Sequence, residues 1–317
     1  MERIIKIEAG TVDQSRPSER PPKSNWRIEM VKKGLSMLQH ITTTKTAEVI
    51  WHYFTQPGKV KFSGAQEEVI GRAELFTSKY NGSVIQHYRW GTTGPKVLLC
   101  HGWRSKASDF RRMIEALVAA GYVVEAMDMK AHGKSEGTQS ALPEFRDVLK
   151  EHYVQHGPYE ALLGYSLGGL AAGLVASELA TYFQPHKLIL IAAPPYARYF
   201  FRDIINDLGF KTEVYQSFCE LVERNYNQPV DYFDLRSKVS KIENIETHFI
   251  YDEDDQTVPF EKGQELIDIF PKARFVHSMG LGHYKIISSK LIIDHVLKIM
   301  DSKSCENQKL DKTEATN

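Results

Sequence analysis

Two periods of apolar residues divide this chain. Between Trp26 and Phe54 the apolar positions Met30, Leu35, Leu38 and Ile41, then Val49, Ile50 and Tyr53, recur at helical spacing and predict two amphipathic helices. From Ala73 onward the pattern shifts to short apolar runs separated by longer amphipathic stretches. AELFTSKY and SVIQHYRW, joined by Asn81 and Gly82, read as an antiparallel hairpin. KVLLCHG (96–102) is continuously apolar, as in a strand covered on both faces. A helix follows from about Ser108, capped by its hydroxyl or by Asp109. Next come the strand YVVEAMD (122–128), a helix at about 142–156, the strand ALLGY (161–165), a helix at 167–182 and the strand KLILIAA (187–193). After an insertion, THFIYD (247–252), a helix at about 259–270, ARFVHS (273–278) and a last helix from about Tyr284 complete the alternation. Strands separated by helices of this length predict parallel crossovers: a mostly parallel central sheet with helices on both faces.

The flanks have a different character. Residues 9–25 are polar and proline-rich, so 1–25 is expected to be a flexible arm and 26–72 a helical extension. The polar stretch 301–317 is expected to be a disordered tail.

Composition narrows the function classes. With 40 basic and 40 acidic residues among 317, the formal charge is zero. That argues against nucleic acid as a partner, and gives no sign of a membrane surface or a strongly charged substrate. The three cysteines, Cys100, Cys219 and Cys305, are too few and too scattered for a disulfide framework or a zinc site. With no secretory pattern at the N-terminus, a cytoplasmic setting is expected. The apolar run 161–180 is as long as a membrane span, but it is broken by Gly164, Gly168 and Gly169. A strand turning into a buried helix explains it better.

Gly164-Tyr165-Ser166-Leu167-Gly168 is a G-x-S-x-G sequence, directly after an apolar strand and directly before a helix of small residues. A sharp strand-to-helix turn holds the serine in a strained conformation with its hydroxyl presented. The first helical amide, that of Leu167, is then a candidate donor to an oxyanion. His101-Gly102-Trp103 follows the strand KVLLC, where such a sheet supplies its second donor, and the Trp103 amide is the candidate. His101 is expected to orient that loop rather than to act as a base.

A serine hydroxyl needs a base, and the base needs an acid. In this chain order both follow residue 166. His283 lies in a glycine-bearing loop after the last strand, whereas His186, His248, His277 and His295 fall before or within regular elements. For the acid, Asp252, Glu253, Asp254 and Asp255 all stand at the end of one strand. Asp255, three residues before Val258-Pro259, is the one placed freely in the loop.

Taken together, HGW (101–103), DMKAHGKSEG (128–137), GYSLGG (164–169), DEDDQTVP (252–259) and GLGH (280–283) resemble the α/β-hydrolase superfamily, and within it esterase- and lipase-like serine hydrolases with a small helical lid. The likeness runs from about Ala73 to Met300. It implies the α/β-hydrolase fold over 73–300 with a lid at about 195–240, the extra N-terminal helices lying outside the shared core. It assigns the acid to Asp255 in a D-x-x-V-P loop, makes His132 and Ser135 structural, and leaves Ala131 where glycine is common. The implied activity is hydrolysis of a carboxylic ester through an acyl-enzyme, with Ser166, His283 and Asp255 as the triad. No metal or organic cofactor is needed.

The lid segment is rich in aromatics, including Tyr196, Tyr199, Phe200, Phe201, Phe210, Phe218 and Phe233. Tyr165, Tyr196, Tyr199 and Phe200 are therefore expected to contact a small to medium, uncharged, apolar ester. Amide or thioester hydrolysis and acyl transfer use the same triad. A silent ligand-binding protein of this fold is the alternative from another class, and the oligomeric state is not readable.

Overall fold

The computed structural model describes residues 3–8, 33–198, 201–202, 205 and 209–302. Most of the expected arm (1–2 and 9–25), the start of the expected helical extension (26–32) and nearly all of the expected tail (303–317) lie outside the described residues, as do Tyr199 and Phe200. The described residues fall into two compact units: 3–8, 57–195 and 235–302 in one, and 33–56 with those of 196–234 in the other.

The first unit is built on a nine-stranded sheet in the order β1-β9-β8-β7-β6-β4-β5-β3-β2. In chain order its strands are β1 (Ile4–Glu8), β2 (Glu74–Tyr80), β3 (Ser83–Trp90), β4 (Lys96–Cys100), β5 (Val123–Asp128), β6 (Ala161–Tyr165), β7 (Lys187–Ile191), β8 (Glu246–Asp252) and β9 (Arg274–Met279). All neighbouring pairs are parallel except β2–β3 and β3–β5. The hairpin between β2 and β3 turns on Asn81 (φ 46°) and Gly82 (φ 78°), two left-handed residues as a two-residue hairpin with the sheet's twist requires. Its helices of eight or more residues are α2 (Gly64–Gly71), α3 (Arg111–Ala119), α4 (Leu142–His156), α5 (Leu167–Glu178), α7 (Phe260–Ile267) and α8 (Lys290–Asp301), while α1 (Thr43–Phe54) and α6 (Thr212–Tyr226) belong to the second unit.

The continuous apolar runs are explained by cover on both faces. Leu99, Leu163, Ile189 and Ile250 share one core with Met113, Ile114 and Leu117 of α3 and with Ile292, Ile293 and Val296 of α8. α4 and α5 pack against each other, and α5 lies on β6 and β7. Full burial of each such aliphatic side chain contributes about 1.5–3 kcal/mol. The apolar run 161–180 resolves into β6 and α5, and no helix among the described residues is long and apolar enough to cross a membrane.

The expectation that residues 1–25 form a flexible arm fails for residues 4–8. They pair in parallel with β9, from Ile4 opposite Phe275 to Glu8 opposite Met279, and form one edge of the sheet. Ile5 and Ile7 are partly covered while Ile4 and Lys6 are exposed, the two-residue period of a half-buried strand. Five residues pairing with a strand some 270 positions away leave no local signature.

In the second unit, α1 (Thr43–Phe54) packs on α6 (Thr212–Tyr226). Thr42 caps α1, its hydroxyl accepting from the Lys45 amide. Trp51 sits 5.3 Å from Phe218 and 5.9 Å from Tyr226, Phe54 lies 5.2 Å from Phe201, and Phe201 lies 4.6 Å from Phe218, centroid to centroid. The Ser217 and Thr43 hydroxyls meet at 3.0 Å. The helical extension and the insertion after β7, read from the sequence as separate features, thus share one small core.

Candidate active site

Ser166 occupies the turn between β6 and α5 at φ 53°, ψ −127°. A non-glycine residue there is strained, and the surrounding structure must impose it. The Ser166 amide donates to the Ile191 carbonyl of β7 (2.9 Å), anchoring the turn to the sheet. Gly164 makes the turn sterically possible: a Cβ on it would lie 2.5 Å from the Gly168 carbonyl oxygen and 2.6 Å from the Gly169 Cα. The helix therefore starts almost in contact with the strand, its first amides free of intrahelical partners and pointed toward the serine.

His283 stands four residues beyond the end of β9, in a helical turn over Gly282–Lys285. Its Nε2 lies 3.0 Å from Ser166 Oγ and its Nδ1 lies 2.7 Å from Asp255 Oδ2. All three side chains are buried. Because a carboxylate can only accept, the imidazole proton sits on Nδ1, and Nε2 is left to accept the serine hydroxyl proton. Asp255 is itself fixed: its Oδ1 accepts from the Thr257 and Val258 amides, both at 2.8 Å. The structure thus brings Ser166, His283 and Asp255 into one hydrogen-bonded chain. Of the four carboxylates at the end of β8, only Asp255 reaches the imidazole among the hydrogen bonds described.

The other three are engaged elsewhere. Asp252, fully buried, accepts the Gly282 amide (2.8 Å), the Leu281 amide (3.2 Å) and the Ser278 hydroxyl (2.7 Å). Asp254 accepts the Gly280 amide at 2.8 Å. Glu253 lies 3.4 Å from His277. Sequence reasoning treated these three as rivals of Asp255, and missed that two of them hold the loop that carries His283. The dense DEDD run opposite a glycine-rich loop was the available signal.

The loop after β4 runs past the serine, since a Cβ on Gly102 would lie 2.9 Å from Ser166 Cβ. His101 braces it. Its Nδ1–H donates to the Gly102 carbonyl (2.7 Å), and its Nε2 accepts the Met129 amide (2.9 Å). Burial drives its pKa down to about 4, so the ring is neutral in this role. Trp103 follows at the edge of an aromatic cluster, 5.0 Å from His132 and 6.2 Å from Phe145.

The 128–137 loop is a scaffold. Asp128 accepts the Tyr88 hydroxyl (2.7 Å) and the Ala107 and Lys134 amides (2.8 and 2.7 Å), while Ser135 donates to the Asp128 carbonyl and accepts the Gln86 amide. Burial holds the His132 pKa down at about 3, and its Nδ1 bonds the Lys130 carbonyl. Ala131 stands at φ 65°, the left-handed geometry that glycine adopts without cost.

Tyr165, expected to contact the substrate, directly precedes Ser166. It is 4% exposed, and its hydroxyl donates to the His283 carbonyl (2.9 Å), so it supports the histidine from behind. Alternation along β6 explains this: Tyr165 belongs to the core face with Leu163, and only the turn after it presents a side chain outward. Tyr196 is half-buried in the second unit, where its backbone bridges to Asp234. Phe218 and Phe233, fully buried there, pack their own unit. Among the described residues no group of three or more His, Cys, Asp or Glu is arranged to hold a metal ion.

Comparison with known proteins bears on the fold. A family model described as serine aminopeptidase, S33, matches residues 92–207. The chain is 32% identical over 111 residues to a human serine hydrolase-like protein, covering 33% of this chain and 53% of that one. It is 32% identical over 115 residues to the mouse monoglyceride lipase, covering 33% and 38%. The matches thus span about half or less of these two relatives' own length. Among solved structures, the Pyrococcus furiosus esterase Pf2001 superposes with a TM-score of 0.58 at 18% identity, covering 77% of this chain and 95% of that one. At that identity the likeness speaks for the fold, which is the α/β-hydrolase fold.

Proposed function

We propose that this chain, which has the α/β-hydrolase fold and matches the serine aminopeptidase S33 family model over residues 92–207, is a serine hydrolase cleaving a carboxylic ester through an acyl-enzyme. One observation carries this reading: the unbroken chain of hydrogen bonds from Ser166 Oγ through His283 to Asp255. His283 takes the serine proton as Oγ attacks the ester carbonyl. The Leu167 and Trp103 amides receive the oxyanion, and the imidazolium returns its proton to the departing alcohol. Water, activated by the same imidazole, attacks the acyl-enzyme; the acid leaves and Ser166 regains its proton. Asp255 holds the imidazole in the required tautomer throughout.

The substrate is a small to medium, uncharged, partly apolar ester. The half-buried Trp103, on the loop whose Gly102 lies against Ser166, supports this. The monoglyceride lipase among the relatives is named for a substrate of this class. The same reading makes residues 73–300 the hydrolase domain and gives the protein a reducing, cytoplasmic setting, on its three scattered cysteines.

The test is hydrolysis of p-nitrophenyl esters of increasing acyl length by the full chain, with Ser166→Ala alongside. Turnover by the wild type alone is expected, and the length preference sizes the acyl pocket. Turnover of anilides or thioesters but not esters would replace the ester reading.

A further inference from the structure

His283 depends on a loop that has little stiffness of its own. Gly280 (φ 88°) and Gly282 (φ 60°) flank Leu281, and both glycines sit in the left-handed region where side chains rarely go. Such a segment explores many conformations unless something outside it holds its backbone. In this fold the holding groups are carboxylates from the adjacent strand end. Three successive amides, those of Gly280, Leu281 and Gly282, all donate to carboxylates of the 252–255 loop. Two of the three go to Asp252, and they are the two immediately before His283.

We propose that Asp252 is a positioning residue for His283: its buried carboxylate clamps the Leu281 and Gly282 amides, and so fixes the imidazole between Asp255 and Ser166. The proposal rests on the serine-hydrolase reading of that site.

The geometry makes the clamp specific. Asp252 Oδ1 accepts the Gly282 amide at 2.8 Å and, at 3.1 Å, the Asp254 amide of its own loop. Oδ2 accepts the Ser278 hydroxyl from the end of β9 at 2.7 Å, and the Leu281 amide reaches both oxygens at 3.2 Å. One side chain thereby ties the end of β8, the end of β9 and the histidine loop together. The last strand contact of that region, Asp252 opposite Ser278, lies in the same register. Asp255 then bonds the imidazole from three residues further along the same loop. The acid that orients the ring and the acid that orients the backbone are thus held in one rigid turn, and the spacing between imidazole and carboxylate cannot drift. A displacement of about 1 Å at a reacting group costs about 10²-fold in rate.

The experiment compares the full chain with Asp252→Ala and Asp252→Asn, measuring kcat and KM on a p-nitrophenyl ester, the rate at which a fluorophosphonate labels Ser166, and the melting temperature. Asp252→Ala is expected to lower kcat and the labelling rate together by about 10²-fold, with KM within about threefold, since no substrate contact is lost. Asp252→Asn keeps one oxygen for the Leu281 and Gly282 amides, and is expected to fall only about three- to tenfold. That graded rescue separates positioning from a purely structural role, which would lower the melting temperature without slowing the labelling of folded protein. If Asp252→Ala does not fold, Asp252→Asn decides alone: an unchanged labelling rate overturns the proposal, and a three- to tenfold fall supports it. Equal rates in all three proteins also overturn it, while the serine-hydrolase reading stands. A wild-type chain that neither hydrolyses an ester nor takes the fluorophosphonate overturns both.

Discussion

Changing Asp255 to Asn tests how the site sets the histidine tautomer. Asp255 Oδ1 accepts two amides at 2.8 Å, and Oδ2 faces His283 Nδ1 at 2.7 Å. In Asp255→Asn the amide oxygen stays on the Thr257 and Val258 amides, because an NH2 group there would meet two donors head-on. The NH2 group is then forced toward His283. Nδ1 must become the acceptor, the ring proton moves to Nε2, and Nε2 can no longer take the Ser166 proton. The site keeps its shape and loses its base. The expected fall in kcat is about 10⁴-fold, the size of effect known for an acid-to-amide change in such triads. At 1.36 kcal/mol per decade this is about 5.5 kcal/mol of barrier. KM and the melting temperature should stay close to wild type, since the two loop amides remain paired. The assay is steady-state hydrolysis of a p-nitrophenyl ester, with a thermal melt on the same preparation. A variant retaining kcat within about tenfold of wild type would refute the tautomer argument, and so would a loss confined to KM.

Three further perturbations probe the scaffold. Gly164→Ala forces a Cβ against the backbone of α5, at 2.5 Å from the Gly168 carbonyl oxygen, and is expected to destabilise by about 3 kcal/mol or more; wild-type stability in urea would contradict the close-approach argument. Ala131→Gly relieves a left-handed alanine, worth roughly 1–2 kcal/mol, against about 0.5–1 kcal/mol of added chain entropy, so the melting temperature should rise by about 2 °C, and a fall would count against it. His87, His101 and His132 have pKa values lowered by burial to about 3, 4 and 3, below the unfolded value of 6.5. Below pH 6.5 the unfolded chain takes up protons that the fold excludes, so stability is complete above that pH. It falls as the pH drops toward 4, by about 1.4 kcal/mol per pH unit for each histidine. Urea midpoints that stay flat from pH 7 to pH 4.5 would contradict it.

Much of this molecule was legible in the order of its residues. Six apolar runs and one hairpin around Asn81-Gly82 located eight of the nine strands, because strands buried on both faces and tight turns each have a composition of their own. The contact of Ser166 with His283 followed from the turn geometry that G-x-S-x-G dictates, together with the placement of one histidine in a glycine loop after the last strand. What stayed hidden depends on partners distant in the chain. β1 is five residues whose pairing with β9 no local pattern records. The pairing of α1 with α6, from segments about 170 residues apart, was likewise invisible. In the DEDD run, composition is identical where function divides, and only the loop geometry separates the carboxylate that reaches His283 from the two that hold its backbone.

The most direct test of the central claim is the mass of the full chain after reaction with a fluorophosphonate, with the adduct located by peptide mapping. The account predicts one adduct per chain, on Ser166, with ester hydrolysis lost in step with labelling and neither label nor turnover in Ser166→Ala. Label on another residue, or turnover by Ser166→Ala within about tenfold of wild type, would contradict it.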